Sequence, residues 1–225
     1  MRRSRPILFV GGGRITSALC AGLRLGKYPR EIVVYDRNPD KLRALRAESR
    51  VTIAHDWKQA LPRADILIVA VRPASVPAVL QEIAGTGNCS RLCVSLAAGI
   101  PLAALRRSLG NPAHWVRAMP SPVSRIGRGL TALSFDPAVS TTERKRVREL
   151  FEVVGQVIEV PERSFDAFTT TYSSSHGYHA LATLASAAQR AGLERKTALT
   201  AASHALTDGI LYWRETDLSV DELQQ

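Results

Sequence analysis

Three consecutive glycines near the start of the chain form a candidate phosphate-binding turn. Gly11-Gly12-Gly13 follows an apolar run and precedes a helical pattern, and with Thr16 it fits the spacing Gly-x-Gly-x-x-small. The first glycine permits a tight strand-to-helix turn, and a later one lets the backbone approach a pyrophosphate. The helix that begins with Arg14 and Ile15 would present free N–H groups to that anion. The turn therefore predicts that the chain binds a dinucleotide.

Asp36 and Arg37 follow the second apolar run of the chain, Glu31-Ile32-Val33-Val34-Tyr35. In dinucleotide-binding domains, an acidic residue about 20 positions after the glycines commonly accepts hydrogen bonds from the ribose hydroxyls of NAD. An arginine at this place can instead pair with the 2′-phosphate of NADP, which a carboxylate repels. Because both residue types are present, the pair leaves NADP and NAD open as the cofactor.

Short apolar runs alternate with amphipathic stretches along the chain. The strands and helices that this alternation predicts must position the glycine turn. Continuous apolar runs are typical of strands that are buried on both faces of a parallel sheet. The predicted strands cover residues 6–10, 31–35, 51–54, 65–71, 92–96 and 115–119. Helices are predicted between them, one with Asn38 as its N-cap and Pro39 in its first turn. The pattern favours βαβ units in a doubly wound sheet.

The alternation changes near Gly129. Residues 130–135 and 156–160 are predicted strands with a helix over 141–153 between them, and no strand pattern follows Ser164. Ala- and Leu-rich helices are predicted over 180–191 and 196–211, with a further helix starting at Ser219. We predict an α/β fold with an NAD(P)-binding Rossmann domain, a doubly wound sheet, over residues 1–161. A small all-helical substrate and dimerisation domain is predicted over residues 162–225.

The formal net charge of +10 does not by itself indicate a nucleic-acid partner, because the 30 Lys and Arg residues are spread along the chain. The densest cluster, from Glu143 to Glu149, includes acids and is typical of a solvated helix face. No apolar run approaches the ~20 residues that cross a bilayer. The basic N-terminus leads into a strand and glycines, unlike a signal peptide. We expect a cytoplasmic protein with no nucleic-acid and no membrane partner.

The three cysteines, Cys20, Cys89 and Cys93, lack the spacing and the histidine neighbours of a zinc site. We therefore expect reduced, buried thiols and no metal site.

Seven short segments match one known pattern in the same order along the chain. They are Phe9 to Gly13, Tyr35 to Leu42, Ala70 to Pro73, Ser95 to Pro101, Arg117 to Pro120, Gly129 to Leu133 and Leu150 to Gly155. Together they resemble the pyrroline-5-carboxylate reductase family, which makes proline by reducing a cyclic imine with NAD(P)H. The resemblance implies a Rossmann domain, NADP or NAD as cofactor, and a small-molecule imine or imino acid as substrate.

Three turns of these segments each follow a predicted strand, namely Ala70-Val71-Arg72-Pro73, Ala98-Gly99 and Met119-Pro120. They are therefore expected at the carboxyl edge of the sheet, where open α/β folds bind ligands. The resemblance places the first of them against the cofactor, and we predict that all three contribute to the cofactor site. For any one of them alone, a structural loop is the alternative.

The chain departs from the family pattern where substrate and chemistry are expected. Ser121-Pro122-Val123 stands where the family has Asn-Thr-Pro, so an amide that helps to position the nicotinamide is missing. The stretch from Ser173 to His179 stands where the family has Ser-Gly-Ser-Gly-Pro-Ala-Tyr. The family's Thr-Ser-Pro-Gly-Gly-Thr-Thr segment, which contacts the substrate, would lie beyond Gln225. Either the protein continues past Gln225, or it is a shortened relative with altered chemistry.

Ser175, His176, Tyr178 and His179 are the candidates for fixing the substrate and for supplying the proton that an imine nitrogen takes up on reduction. Histidine titrates near neutral pH, which suits a proton donor. The alternative is that His176 caps a helix and that His179 faces solvent or a partner subunit.

The sequence thus predicts an NAD(P)H-dependent reductase of a C=N bond in a small cyclic imino acid. The Ala-rich helices would expose apolar surface if they stood alone, which favours a homodimer or larger homo-oligomer. The alternative function is that of a non-catalytic relative, which binds a dinucleotide and regulates or binds a partner.

Overall fold

The computed structural model describes residues 5–87 and 92–224. Contacts divide these residues into two compact units, one ending at Tyr172 and one beginning at Ser173. The strands of the first unit are β1 (Ile7–Val10), β2 (Ile32–Tyr35), β3 (Thr52–Ile53), β4 (Ile66–Val69), β5 (Leu92–Ser95), β6 (His114–Met119), β7 (Gly129–Phe135) and β8 (Gly155–Glu159). Its helices are α1 (Arg14–Leu25), α2 (Pro39–Ser49), α3 (Trp57–Ala60), α4 (Val76–Gly85), α5 (Leu102–Ser108), α6 (Thr141–Glu152) and α7 (Glu162–Thr171).

The strands form a single sheet in the order β3-β2-β1-β4-β5-β6-β7-β8. All neighbouring strands are parallel except β6 and β7, which are antiparallel. The direction of winding reverses between β1 and β4, and ligands of doubly wound sheets bind beside such a reversal. The predicted Rossmann sheet is confirmed.

The central strands are buried on both faces, as their continuous apolar sequences predict. In β1, Ile7 and Phe9 belong to one core, while Leu8 and Val10 belong to the other. The first core includes side chains of α1, α2 and α6, and the second includes side chains of α3, α4 and α5. The sheet is therefore packed between helices on both faces, which fixes the positions of its strand ends.

The first compact unit extends beyond the predicted domain boundary at residue 161, because α7 packs against the sheet. The side chain of Phe165 in α7 is buried. At the end of the unit, the Leu130 N–H of β7 donates to the Tyr172 hydroxyl over 3.2 Å. The change of pattern near Gly129 corresponds to strand β7, which is antiparallel to β6 and belongs to the same unit.

The second unit contains α8 (Ser174–Arg190), α9 (Arg195–Glu215) and α10 (Val220–Leu223). Small side chains, Ala185, Ala198 and Ala202, are buried within it. The predicted all-helical character is confirmed, although α8 begins at Ser174 and not at the predicted residue 180. Serine, glycine and histidine dominate its first turns and have low helix propensity, which obscured the start. The further helix predicted to start at Ser219 is α10, and Ser219 is its N-cap.

No helix within residues 5–87 and 92–224 is long and apolar enough to cross a membrane. In the same part of the chain, no three His, Cys, Asp or Glu side chains are grouped to hold a metal ion. Cys20 is a buried free thiol and Cys93 is buried, whereas Cys89 lies outside the described residues. Burial raises the pKa of the Cys20 thiol to about 12.

Glu143 lies in the first turn of α6, which the sequence predicted to be a solvated helix face, yet its side chain is buried. Its Oε2 accepts from the Ser140 N–H and hydroxyl, at 2.9 and 2.8 Å, and lies 2.9 Å from His114 Nδ1 of β6. Burial raises the pKa of the Glu143 carboxyl, but the hydrogen bonds from His114 and Ser140 outweigh burial and lower it from the ordinary value of 4.5. The contact between Glu143 and His114 therefore links α6 to β6.

Because the folded pKa of Glu143 is lowered, the stability it contributes should be present above pH 4.5 and be lost as the pH falls through the folded pKa. Glu143→Gln keeps an oxygen for the cap but removes the charge. We expect the thermal midpoint of this variant, followed by circular dichroism, to fall less steeply with acidification than that of the wild type. Glu149→Gln, an exposed control on α6, should keep the wild-type slope. Equal slopes for wild type and Glu143→Gln would contradict the assignment.

Candidate functional site

The glycine turn connects β1 to α1 and lies against the end of β4. Gly11 has a φ of +113°, and a Cβ placed on it would lie 2.6 Å from the Ala70 carbonyl carbon. Only glycine accommodates both this conformation and this approach. Thr16, which stands at the third small position, is fully buried and donates its hydroxyl to the Gly11 carbonyl over 2.6 Å. Threonine stands where glycine or alanine is usual, and its hydrogen bond to Gly11 stabilises the turn.

The N-terminus of α1 is open to an anion. Gly13 is the N-cap, no side chain caps the helix, and its first turn contains no acid. A Cβ added to Gly13 would meet nothing within 4 Å. The protein itself therefore gives no steric reason for glycine here, whereas a pyrophosphate that approaches the backbone does. Arg14 is exposed and Ile15 half-buried in the same turn. These features fit the diphosphate of a dinucleotide.

Asp36 contacts the glycine turn directly. The Gly12 N–H donates to Asp36 Oδ2 over 2.7 Å, and the Asn38 N–H donates to Oδ1 over 2.8 Å. Lys41 Nζ lies 3.8 Å from the same carboxylate, and Arg37 is exposed beside it. The carboxylate is thus positioned at the end of β2, as the predicted ribose-binding role requires, with two cations nearby for a phosphate.

The three predicted turns do lie at one edge of the sheet. Ala70 to Pro73 follows β4, Ala98-Gly99 follows β5, and Met119-Pro120 stands at the end of β6, and these three strands all run parallel to β1. Ala70, Val71 and Met119 are half-buried; Arg72, Pro73, Ala98 and Gly99 are exposed; and Pro120 is buried. The structure therefore brings the predicted cofactor residues together at the carboxyl edge.

A buried arginine that the sequence analysis did not single out connects two of these turns. Arg117 of β6 is 1% exposed. Its guanidinium donates from Nη1 to Glu162 Oε1 over 3.0 Å and from Nη2 to Asp166. The guanidinium carbon, Cζ, also lies 4.4 Å from the centre of the Phe165 ring. Glu162 Oε1 also accepts the Leu102 N–H over 2.8 Å, just after the Ala98-Gly99 turn. One carboxylate thus holds the start of α5, strand β6 and helix α7. The hydrogen-bonded residues are 45 and 60 positions apart in the sequence, so no local sequence pattern predicts this network.

The four predicted catalytic residues lie in the second unit, in the first turns of α8. Ser175, His176, Tyr178 and His179 are all exposed, with Tyr178 at 65%. The Ser175 hydroxyl is 2.7 Å from the Ser173 hydroxyl, and the His176 N–H donates to the Ser173 carbonyl over 3.0 Å. The structure brings the four together on one short stretch of helix, and their catalytic role stays a prediction.

Comparison with known proteins covers both units. A family model described as "NADP oxidoreductase coenzyme F420-dependent" matches residues 6–99. The pyrroline-5-carboxylate reductase of Corynebacterium melassecola is 32% identical over 224 residues, which are 97% of this chain and 83% of that protein. The enzyme of the same name from Mycobacterium tuberculosis (strain ATCC 25618 / H37Rv) is 32% identical over 209 residues, 89% of this chain and 70% of that protein.

A solved structure is similar over the same extent. The structure of a pyrroline-5-carboxylate reductase from Coxiella burnetii is 27% identical to this chain, with a TM-score of 0.85, and the match covers 100% of this chain and 84% of that one.

The open space at Gly13 yields a test of the cofactor site. Gly13→Ala should change the free energy of unfolding by no more than about 1 kcal/mol, the difference between glycine and alanine as N-caps. It should nevertheless weaken binding of NADPH or NADH, measured by fluorescence titration, by at least about tenfold, because the methyl group meets the pyrophosphate. Gly85→Ala, at the end of α4 and also free of neighbours, is the control and should bind normally. Normal binding by Gly13→Ala would exclude the turn as the diphosphate site.

Proposed function

Because the chain belongs to the pyrroline-5-carboxylate reductase family, we propose that it reduces the C=N bond of a small cyclic imino acid with NADPH or NADH. The observation that carries the proposal is the open glycine turn in a chain that is 32% identical to such a reductase over almost its full length. The reduction adds a hydride to the imine carbon and a proton to the nitrogen, and gives a secondary amine. The nicotinamide cofactor, when bound, supplies the hydride.

The first unit supplies the residues that would hold the cofactor. Gly11 to Gly13 and the first N–H groups of α1 are suited to the diphosphate, since they combine a close backbone approach with positive charge. Asp36 and Arg37 are suited to the adenosine ribose and to a phosphate on it. The turns after β4, β5 and β6 would line the path toward the reacting end. The family model that matches this unit is one of NADP oxidoreductases, which supports NADP as the cofactor.

The start of α8 supplies the groups that could hold substrate and deliver the proton. His176 and His179 carry ring nitrogens that can donate near neutral pH, while Ser175 and Tyr178 carry hydroxyls that can bind a carboxylate or relay a proton. These groups are exposed and therefore accessible to a small molecule. An imine nitrogen needs one proton per turnover, so a single donor among the four is sufficient.

We also propose that the second unit forms a homodimer or larger homo-oligomer, and that the protein acts in the cytoplasm. Large apolar side chains of this unit are exposed, namely Leu184, Leu193, Leu199, Ile210, Leu211, Tyr212, Trp213, Leu218 and Val220. So many exposed apolar groups on so short a chain segment favour a partner surface.

Turnover is the direct test of the reductase proposal. Purified protein with NADPH or NADH and pyrroline-5-carboxylate should oxidise the cofactor, followed by its absorbance. We expect His176→Ala or His179→Ala to lower kcat by about 100-fold or more if that histidine donates the proton, with cofactor affinity unchanged. His204→Ala is the control, because His204 is exposed and pairs with Asp208 on α9.

The outcomes of this assay also separate the two functions predicted from the sequence. Absence of turnover with a panel of cyclic imines, in protein that binds NADPH, would refute the reductase and support a non-catalytic dinucleotide-binding relative. Turnover that survives both histidine substitutions would leave the reductase standing and remove the histidines as proton donors.

The oligomer proposal is tested by mass in solution. The wild type should sediment with at least twice the 24.5 kDa mass of the chain. Trp213→Asp should shift it to the monomer, since a charge replaces an apolar group that a partner would cover. Leu25→Asp, at an apolar residue of the first unit that is 63% exposed, should leave the mass unchanged. A monomeric wild type would overturn the proposal.

A further inference from the structure

The turn between β5 and α5 is held at its two ends and open at its tip. At its start, the Leu96 N–H donates to the Val69 carbonyl of β4 over 2.9 Å. At its end, the Leu102 N–H donates to Glu162 Oε1 of α7 over 2.8 Å. Between the two, a Cβ placed on Gly99 would meet no atom of the described residues within 4 Å. The position of the tip therefore depends on the two ends, and one of these ends depends on Glu162.

The same carboxylate oxygen relates this turn to the end of β6. Glu162 Oε1 also accepts Arg117 Nη1 over 3.0 Å, and Arg117 lies two residues before Met119, the last residue of β6. Strand β6 pairs with β5 on one side and with β7 on the other, so its own end is fixed by the sheet. Glu162 is therefore a link between a fixed strand end and the start of α5.

Stability alone does not account for a carboxylate at this place. Within the described residues, Glu162 Oε2 and Arg117 Nε are buried atoms that have no hydrogen-bond partner. A buried ion pair with incomplete hydrogen bonding is weak evidence for stability, because the cost of desolvation offsets the attraction. Buried polar groups can instead select one geometry among those that packing would allow. The geometry that Glu162 selects is that of the turn after β5.

The ends of β5 and β6 face the half of the cofactor site opposite Asp36. The glycine turn stands at the end of β1 and Asp36 at the end of β2, on one side of it. Strands β5 and β6 lie on the other side, two and three strands from β1. At a spacing of about 4.8 Å between neighbouring strands, they are about 10 and 14 Å away. A dinucleotide with its diphosphate on the glycine turn and its adenosine toward Asp36 would extend its nicotinamide half across them.

We propose that Glu162 is a positioning residue for the nicotinamide half of the cofactor. Through the Leu102 N–H it sets the Ala98-Gly99 turn against the end of β6, and thereby sets the space that receives the nicotinamide ring. This role requires no contact between Glu162 and the cofactor, and the diphosphate and adenosine contacts do not depend on it. The inference rests on the proposed function, because it takes NADPH or NADH as the ligand.

The test is a titration of the full chain with NADPH, followed by the fluorescence of the reduced ring, and with 2′-phospho-ADP-ribose, which lacks that ring. In Glu162→Ala the Leu102 N–H loses its acceptor, and we expect NADPH affinity to fall by at least about tenfold. The emission of bound NADPH should also move toward that of the free cofactor. The affinity for 2′-phospho-ADP-ribose, measured by calorimetry, should change by less than about twofold, because the glycine turn and Asp36 are unaltered.

Asp166→Ala is the matched control for the loss of a carboxylate from Arg117. Asp166 also accepts from this arginine, but its bond does not reach α5. This variant should keep NADPH affinity within about threefold of the wild type, even where its thermal midpoint falls as far as that of Glu162→Ala.

Two further substitutions of Glu162 separate positioning from folding. Glu162→Gln should restore NADPH affinity, because its amide oxygen can accept both donors and its NH₂ group replaces Oε2, which has no partner among the described residues. Glu162→Asp keeps a charge near Arg117 but is one methylene group too short to hold both donors. It should weaken NADPH binding as Glu162→Ala does, and it replaces that variant if Glu162→Ala does not fold.

Three results would overturn the proposal. They are wild-type NADPH affinity in Glu162→Ala or Glu162→Asp, equal weakening of NADPH and 2′-phospho-ADP-ribose, and an equal loss of NADPH affinity in Asp166→Ala. Failure of the reductase proposal gives a different result, namely a wild type that binds NADPH but reduces no imine, and the variants then still decide the role of Glu162. A wild type that does not bind NADPH would overturn both proposals.

Discussion

The contact between Gly11 and the backbone of Ala70 is the constraint on which the cofactor edge depends. The ends of β1 and β4 meet there so closely that no side chain fits between them. Two further contacts fix the same turn, since Thr16 binds the Gly11 carbonyl from α1 and Asp36 binds the Gly12 N–H from β2. The turn is therefore held from three elements before any ligand arrives, and a prearranged site loses little conformational entropy on binding.

A second constraint organises the other half of the same edge. The guanidinium of Arg117 is buried, and a buried charge is tolerated only when it is paired. Glu162 and Asp166 of α7 supply the pairing, so α7 has to lie on the sheet. The bond from the Leu102 N–H to the same Glu162 then ties the turn after β5 to this helix. The position of α7 and the position of the turn are thus set by one carboxylate.

The sequence predicted features that depend on local pattern and missed those that depend on distant pairing. Ile7 to Val10 and Ile66 to Val69 are apolar throughout because both faces are buried, so their strands were recognisable. Asn38 caps α2 as its spacing to Pro39 and Asp40 indicated. Glu143 was placed on a solvated face, because its burial depends on His114, 29 residues earlier. The left-handed Arg50 carries no sequence signal, since arginine is rare in that conformation.

The bonds of Asp36 have a consequence for how a cofactor is discriminated. Both oxygens of the carboxylate already accept a backbone N–H, and a carboxylate offers only acceptors. A ligand oxygen that comes to this residue must therefore bring its own hydrogen, as a ribose hydroxyl does and a fully ionised phosphate ester does not. In the proposed cofactor site, Asp36 would therefore select between cofactors by the direction of a hydrogen bond, in addition to the sign of a charge. In that site a phosphate would turn toward Arg37 and Lys41, and the two forms of the cofactor would be held by different neighbours of the same aspartate.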